Sequence, residues 1–144
     1  MNSYPYRIDA VAGTDCTRNI FVALPTGGFV DFSSSSCELR AQFTAVDGTT
    51  STVLDIQSGV SNANGSLILG ASALTVYDNS SNPPIQYTVP AGSYWTLTLP
   101  KVFTTAQAGN ELCYVFYVTF SDGSTQAPLT GTIVFSSYIQ PLLT

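Results

Sequence analysis

The chain has 144 residues, a net charge of −5, only four cations (Arg7, Arg18, Arg40 and Lys101) and no histidine. That length suits one domain with a sizeable core, and four scattered cations exclude the basic stripe that displaces phosphate counterions, so no nucleic-acid partner is expected. Charged residues make up 9% of the chain, against roughly 25% in typical soluble domains, and Ser and Thr fill about a quarter of it.

In chain order, the N-terminal MNSYPYRIDAVAGTDC is interrupted by Arg7 and Asp9 and has no signal-peptide core. No apolar run approaches a membrane span, so cytoplasmic synthesis and no membrane partner are expected. Residues 1–17 are expected as an N-terminal arm. RNIFVAL, 18–24, reads as the first strand. Gly27-Gly28 allows a turn, Asp31 caps it by bonding local amides through the serine run, and the serines form a loop at the sandwich edge. CELRAQFTA, 37–45, alternates cleanly: Cys37, Leu39, Ala41, Phe43 and Ala45 point one way and Glu38, Arg40, Gln42 and Thr44 the other. Such a strand has one dry face and one wet face.

TVLDIQ (52–57), SLILG (66–70) and ALTVY (73–77) follow as short strands, with turns at Asp47-Gly48 and Asn64-Gly65. IQYTV (85–89) and SYWTLTL (93–99) come next, after the break at Pro83-Pro84. KVFTTAQAGN, 101–110, holds the one plausible helical turn. LCYVFYVTF, 112–120, is apolar on both faces, so it is either central and covered on both sides or offers an aromatic face to a partner. GTIVFSS, 131–137, is the return strand, and 138–144 form an apolar tail.

Eight or nine short strands at this spacing predict an all-β fold, a single antiparallel β-sandwich over residues 18–137. An immunoglobulin-like topology and a jelly roll both fit, since periodicity does not report strand order.

Little in the sequence points to chemistry. Without histidine, neither a Ser-His-Asp nor a Cys-His arrangement can be built. Asp47 and Asp122 each precede Gly in a turn, where Asp serves the backbone. Asp78, Ser80 and Asn82 alternate as in a calcium loop but lack the later acidic ligand, so a turn is expected. Cys16, Cys37 and Cys113 match no zinc spacing. They are expected to be free thiols, with a Cys37–Cys113 bridge between strands as the alternative. No catalytic residue, metal or cofactor is expected.

The remaining feature is aromatic. Tyr94-Trp95 could form a sugar-stacking platform, although neighbours along a strand face opposite ways and one of the two should be core. Tyr4, Tyr6 and Tyr138, with Leu142 and Leu143 in the tail, are candidates to anchor an interface. Ordinary packing with phenol tips in solvent is the competing explanation. Low charge has two readings as well: a surface made to be covered, or a plain β domain rich in hydroxyls.

GGFVDFSSSSCELRAQF (27–43), the short Leu/Ile strand after Asn64-Gly65, YVFYVTFSDGS (114–124) and GTIVF (131–135) together resemble a signature of small bacteriophage tail proteins. The ensemble is similar to the immunoglobulin-like N-terminal domain of phage baseplate upper proteins. It departs at Phe32, where Leu is usual, and at Asn110-Glu111, where a Gly-x-Tyr lead-in is common. The resemblance implies a non-enzymatic virion module, assembled in the host cytoplasm, that docks on tail or baseplate proteins and on copies of itself. A capsid decoration protein is the close alternative, and a carbohydrate-binding module the alternative of another class.

Overall fold

The structure is a computed structural model and describes residues 4–60 and 62–137. Among the described residues, eleven strands and one short helix follow in order: β1 (Tyr4–Pro5), β2 (Ile8–Val11), β3 (Cys16–Ile20), β4 (Ser36–Thr44), β5 (Thr50–Gln57), β6 (Ser66–Leu69), β7 (Leu74–Asp78), β8 (Ile85–Val89), β9 (Trp95–Leu99), α1 (Lys101–Ala106), β10 (Glu111–Thr119) and β11 (Thr125–Ser136).

The larger sheet runs β1-β11-β10-β4-β5, with β2 also on β11, and the smaller runs β3-β9-β6. Alternation explains which face each strand buries. Cys37, Leu39 and Ala41 of β4, and Leu112, Tyr114, Phe116 and Val118 of β10, point inward from the larger sheet. Trp95, Leu97 and Leu99 of β9 meet them from the smaller one, and all belong to a single buried cluster. The expected sandwich is therefore present.

Its strand order separates the two topologies that periodicity left open. β11-β10-β4-β5 over β3-β9-β6 is the G-F-C-C′ over B-E-D order of an immunoglobulin-like sandwich. The N-terminal strands β1 and β2 run parallel to β11, so the larger sheet is mixed and not purely antiparallel.

Residues 8–17 are thus part of the sandwich and not an arm beside it. Ile8 and Ala10 are buried in the core, and Cys16 begins β3. Room for this strand comes from Gly131. A Cβ there would lie 2.9 Å from the Tyr6 carbonyl carbon and nearer still to its oxygen. The Tyr114 hydroxyl donates to that same Tyr6 oxygen at 2.7 Å.

The first expected strand ends earlier than its apolar run. Val22 and Ala23 leave β9 and pair instead with Val30 and Phe29 in an irregular hairpin. The return strand begins earlier, at Thr125, because a bulge between Phe116 and Val118 absorbs Pro128. The expected helical turn is α1. Asp15 caps its first amide from the β2–β3 loop, and Phe103 packs edge-on against Phe135 at 5.8 Å.

Candidate interaction surface

Of the described strands, all but β7 and β8 sit in the sandwich. In an immunoglobulin-like order, β6 should lead by a short turn to β9. Here residues 70–94 intervene, and β7 and β8 pair only with each other. Their contribution to the core is small: Val89 is buried, while Leu74 and Val76 are half-exposed.

The base of this hairpin is fixed by backbone and ring contacts. The Gly70 amide donates to the Tyr94 carbonyl, and the Gly92 amide to the Gly70 carbonyl, each at 2.9 Å. The Tyr94 ring lies flat over Gly70, and its hydroxyl donates to the Ser72 carbonyl at 2.8 Å.

The Gly27-to-Ser36 stretch carries the other side of that base. Gly27 and Gly28 both take positive φ and make the tight turn. Asp31 Oδ1 accepts from the Ser33 amide at 2.9 Å and the Ser33 hydroxyl at 2.6 Å. Those two donors, the hydroxyl first, hold the Asp31 carboxyl below the usual range. Phe32 is thereby turned into the core beside Trp95, ring centroids 6.5 Å apart, and its amide donates to the Gly92 carbonyl at 2.8 Å. The stretch is architectural, as its residue types predict, and what it supports is the hairpin.

Beyond the base the hairpin is exposed. Cross-strand pairing puts Leu74, Val76, Ile85, Tyr87 and Val89 on one face, with Asp78 opposite Ile85 at its far end, and Tyr77 on the other face. Tyr77 is 60% exposed, Ile85 45% and Tyr87 43%. Asp78 is the only charged residue between Asp55 and Lys101. It accepts from the Ser80 hydroxyl and amide, forming the turn expected at the start of DNSSN. Among the described residues, no three His, Cys, Asp or Glu side chains gather as metal ligands do.

Two other concavities flank the frame. One, of about 420 Å³, is apolar and lined by Phe21, Val22, Ala23, Leu24, Pro25 and Leu129. The second, of about 520 Å³, lies on the outer face of the larger sheet, around Glu38, Arg40, Gln57, Ser58, Tyr117 and Thr119. Arg40 donates to Glu38 at 2.7 Å and stands 3.8 Å from Asp55. One guanidinium against two carboxylates leaves a local charge of −1, so this face does not recruit anions. Cys37 at its floor is no nucleophile, since burial pushes its thiol up to about 12.

This face also shows what the outer row of β10 does. The strand is central, but its outer side is only partly covered: Cys113 is exposed, and Val115 and Tyr117 are half-buried between Arg40 and Glu38 of β4. The thiols of Cys37 and Cys113 are free. They point to opposite faces, and the residue across from Cys37 is Val118, so the alternative of a bridge between them does not hold.

The candidate residues fall in several places. Trp95 is 4% exposed and Tyr94 7%, so neither offers a stacking platform. Trp95 faces the core, as one of the pair should. Tyr94 precedes β9 and escapes strand alternation, which lets its ring fold down on Gly70. Tyr6 is at the surface, 44% exposed, and Tyr4 is paired with Leu129 in β1. Tyr138, Leu142 and Leu143 lie outside the described residues.

Tyr77, Ile85 and Tyr87 were missed by sequence reasoning. Their strands were legible, but the signal that sets them apart is the long tract with one charge. A scan against protein-family models and a search of curated proteins return no match for this chain.

Proposed function

We propose that this chain is a non-enzymatic structural module of a bacteriophage virion, docking on the tail or baseplate through its β7–β8 hairpin. The observation that carries the reading is the hairpin itself. It is inserted between two strands of a frame that closes without it, its base is pinned, and its far end exposes Tyr77, Ile85 and Tyr87 with Asp78 as its one charge. Aromatic side chains on a rigid, weakly charged support are what a protein interface uses as anchors. The virion setting comes from the resemblance of residues 27–43, 114–124 and 131–135 to phage tail proteins.

A capsid decoration role would use the same hairpin on a different neighbour. The carbohydrate-binding alternative has less support, because Tyr94 and Trp95, the platform it needs, are buried.

The test is to purify particles of a phage that encodes the chain and to locate it by immunogold labelling. Gold at the tail or baseplate is the expected result, and gold spread over the head would favour the decoration reading. Replacing Tyr77 and Tyr87 by Ser should remove the chain from particles while leaving the isolated protein folded. A chain found only in the host cytoplasm, never in particles, refutes both virion readings.

A further inference from the structure

We infer that β7 pairs edge to edge with β7 of a second copy of this chain, an inference that rests on the hairpin being the docking element. A two-stranded hairpin is marginal in water, and three or more strands sharing an apolar face make a stable unit. β7 and β8 share such a face, through Val76, Ile85 and Tyr87, but among the described residues no third strand joins them.

Among the described residues the free edge of β7 is also the least guarded, β2 being four residues long and carrying Asp9. Native edges are blunted by charge, proline, bulges, short length or a covering segment. β5 carries Asp55 beside Arg40, β3 carries Arg18, whose guanidinium bonds the Asp9 and Thr17 carbonyls, and β1 is two residues long and ends in Pro5. β6 has four residues and lies against β5. β8 runs between Pro84 and Pro90. β7, Leu-Thr-Val-Tyr-Asp, has no proline, and its one charge is at its last position.

The β7 edge is self-complementary, which points to another copy as the occupant: in an antiparallel pair Thr75 faces Tyr77 and Asp78 faces Leu74, so no two like charges meet. Each chain carries −5, so two copies repel across most faces and least across the tract with a single charge. In an antiparallel β7–β7 pair centred on Val76, the two Asp78 residues fall four positions apart along the strand. At about 3.4 Å per residue that is about 14 Å, beyond the Debye length of about 8 Å at physiological salt. The result is a four-stranded sheet, β8-β7-β7-β8, closed by a two-fold axis, with Val76 and Tyr87 of both copies in one row across it and an Asp78 in the row on either side.

Light scattering after size exclusion tests this, with Thr75→Lys/Tyr77→Lys as the edge variant. Val46→Lys, on the fully exposed turn between β4 and β5, is the control for added charge. The wild type and the control should show twice the monomer mass and the edge variant the monomer mass, because like charges facing across a strand pair are destabilising. In the wild type, hydrogen exchange at the 74–78 amides should slow as protein concentration rises, a readout that needs no variant. A wild type still monomeric at about 1 mM overturns the inference, as does a dimer that survives in a folded edge variant with no change in β7 exchange. If Tyr77 and Tyr87 still govern incorporation into particles in that case, the docking reading stands and only self-pairing falls.

Discussion

Gly70→Ala should loosen the hairpin from the sandwich without touching either strand. Gly70 lacks a positive φ, so its backbone accepts alanine, and the difficulty is space alone. A Cβ at this position would sit 2.5 Å from Tyr94 Cε2 and closer to Cζ and Cε1. The ring must retreat by about 1 Å or more to reach ordinary contact, an overpacking cost of about 1–3 kcal/mol. Retreat also breaks the hydroxyl's 2.8 Å bond to the Ser72 carbonyl, worth about 0.5–1.5 kcal/mol. Alanine narrows the unfolded ensemble and returns about 0.4–1 kcal/mol. The net is a destabilisation of about 2 kcal/mol, or roughly 4–8 °C in melting temperature.

Urea denaturation of Gly70→Ala, Tyr94→Leu and the double variant checks the cause. With the ring gone, alanine has nothing to strike, so the double variant should be less destabilised than the sum of the singles by about 2 kcal/mol. Hydrogen exchange in Gly70→Ala should speed up over residues 71–92 and stay unchanged in β4. Additivity within about 0.5 kcal/mol, or a single variant as stable as the wild type, would refute the stacking of Tyr94 on Gly70.

Gly131→Ala should release the N-terminal strand. Its Cβ would fall 2.9 Å from the Tyr6 carbonyl carbon, so urea midpoints should drop by an overpacking cost of about 1–3 kcal/mol, with exchange rising over residues 4–11. In native protein, Ellman's reagent should titrate Cys113 at once and reach Cys16 and Cys37 only after denaturation, since burial raises both of their thiols. Acid should destabilise the fold through its turns. Asp31, Asp78 and Asp122 are held below the usual carboxylate range by the hydroxyl and amide two residues on, and Asp47 chiefly by the Thr49 amide. A depressed carboxyl stabilises the fold above its unfolded value near pH 4 and loses that contribution as pH falls through its folded value. Urea midpoints should therefore fall less steeply below about pH 4 in a variant with all four changed to Asn than in the wild type.

Local chemistry made much of the fold legible. Alternation in 37–45 placed Cys37, Leu39 and Ala41 inward and Arg40 outward because a side-chain period of two has one reading once one face is dry. Turn chemistry placed Asp47-Gly48, where the Thr49 amide donates to the Asp47 carboxylate at 2.9 Å. The misses share a cause: they depend on partners far away in the chain. Ile-Asp-Ala-Val at 8–11 is too short to declare itself, and it is a strand because Ile133 to Ser136 lie beside it. The return strand was expected only from Gly131 on, yet it starts at Thr125 because a bulge takes up Pro128, and Gly131 makes room for Tyr6. Alternation expected one of Tyr94 and Trp95 in the core, yet both are buried, because burial depends on what Gly70 and Phe32 bring against them.

The same distinction bears on where function sits. Of the described strands, β7 and β8 alone have a pattern that the sandwich does not explain, since both belong to no sheet but their own. Alternation in a framework strand is spent on the core: Leu97 and Leu99 of β9 are fully buried. In the hairpin the alternation persists while Ile85 and Tyr87 remain in water. An apolar row that folding leaves uncovered, at the end of a base held by three backbone hydrogen bonds and a stacked tyrosine, gains nothing for the isolated chain. Its free energy is recovered only when another surface covers it. That is why the hairpin, and not the polar concavity around Arg40, is where association is expected to be won or lost.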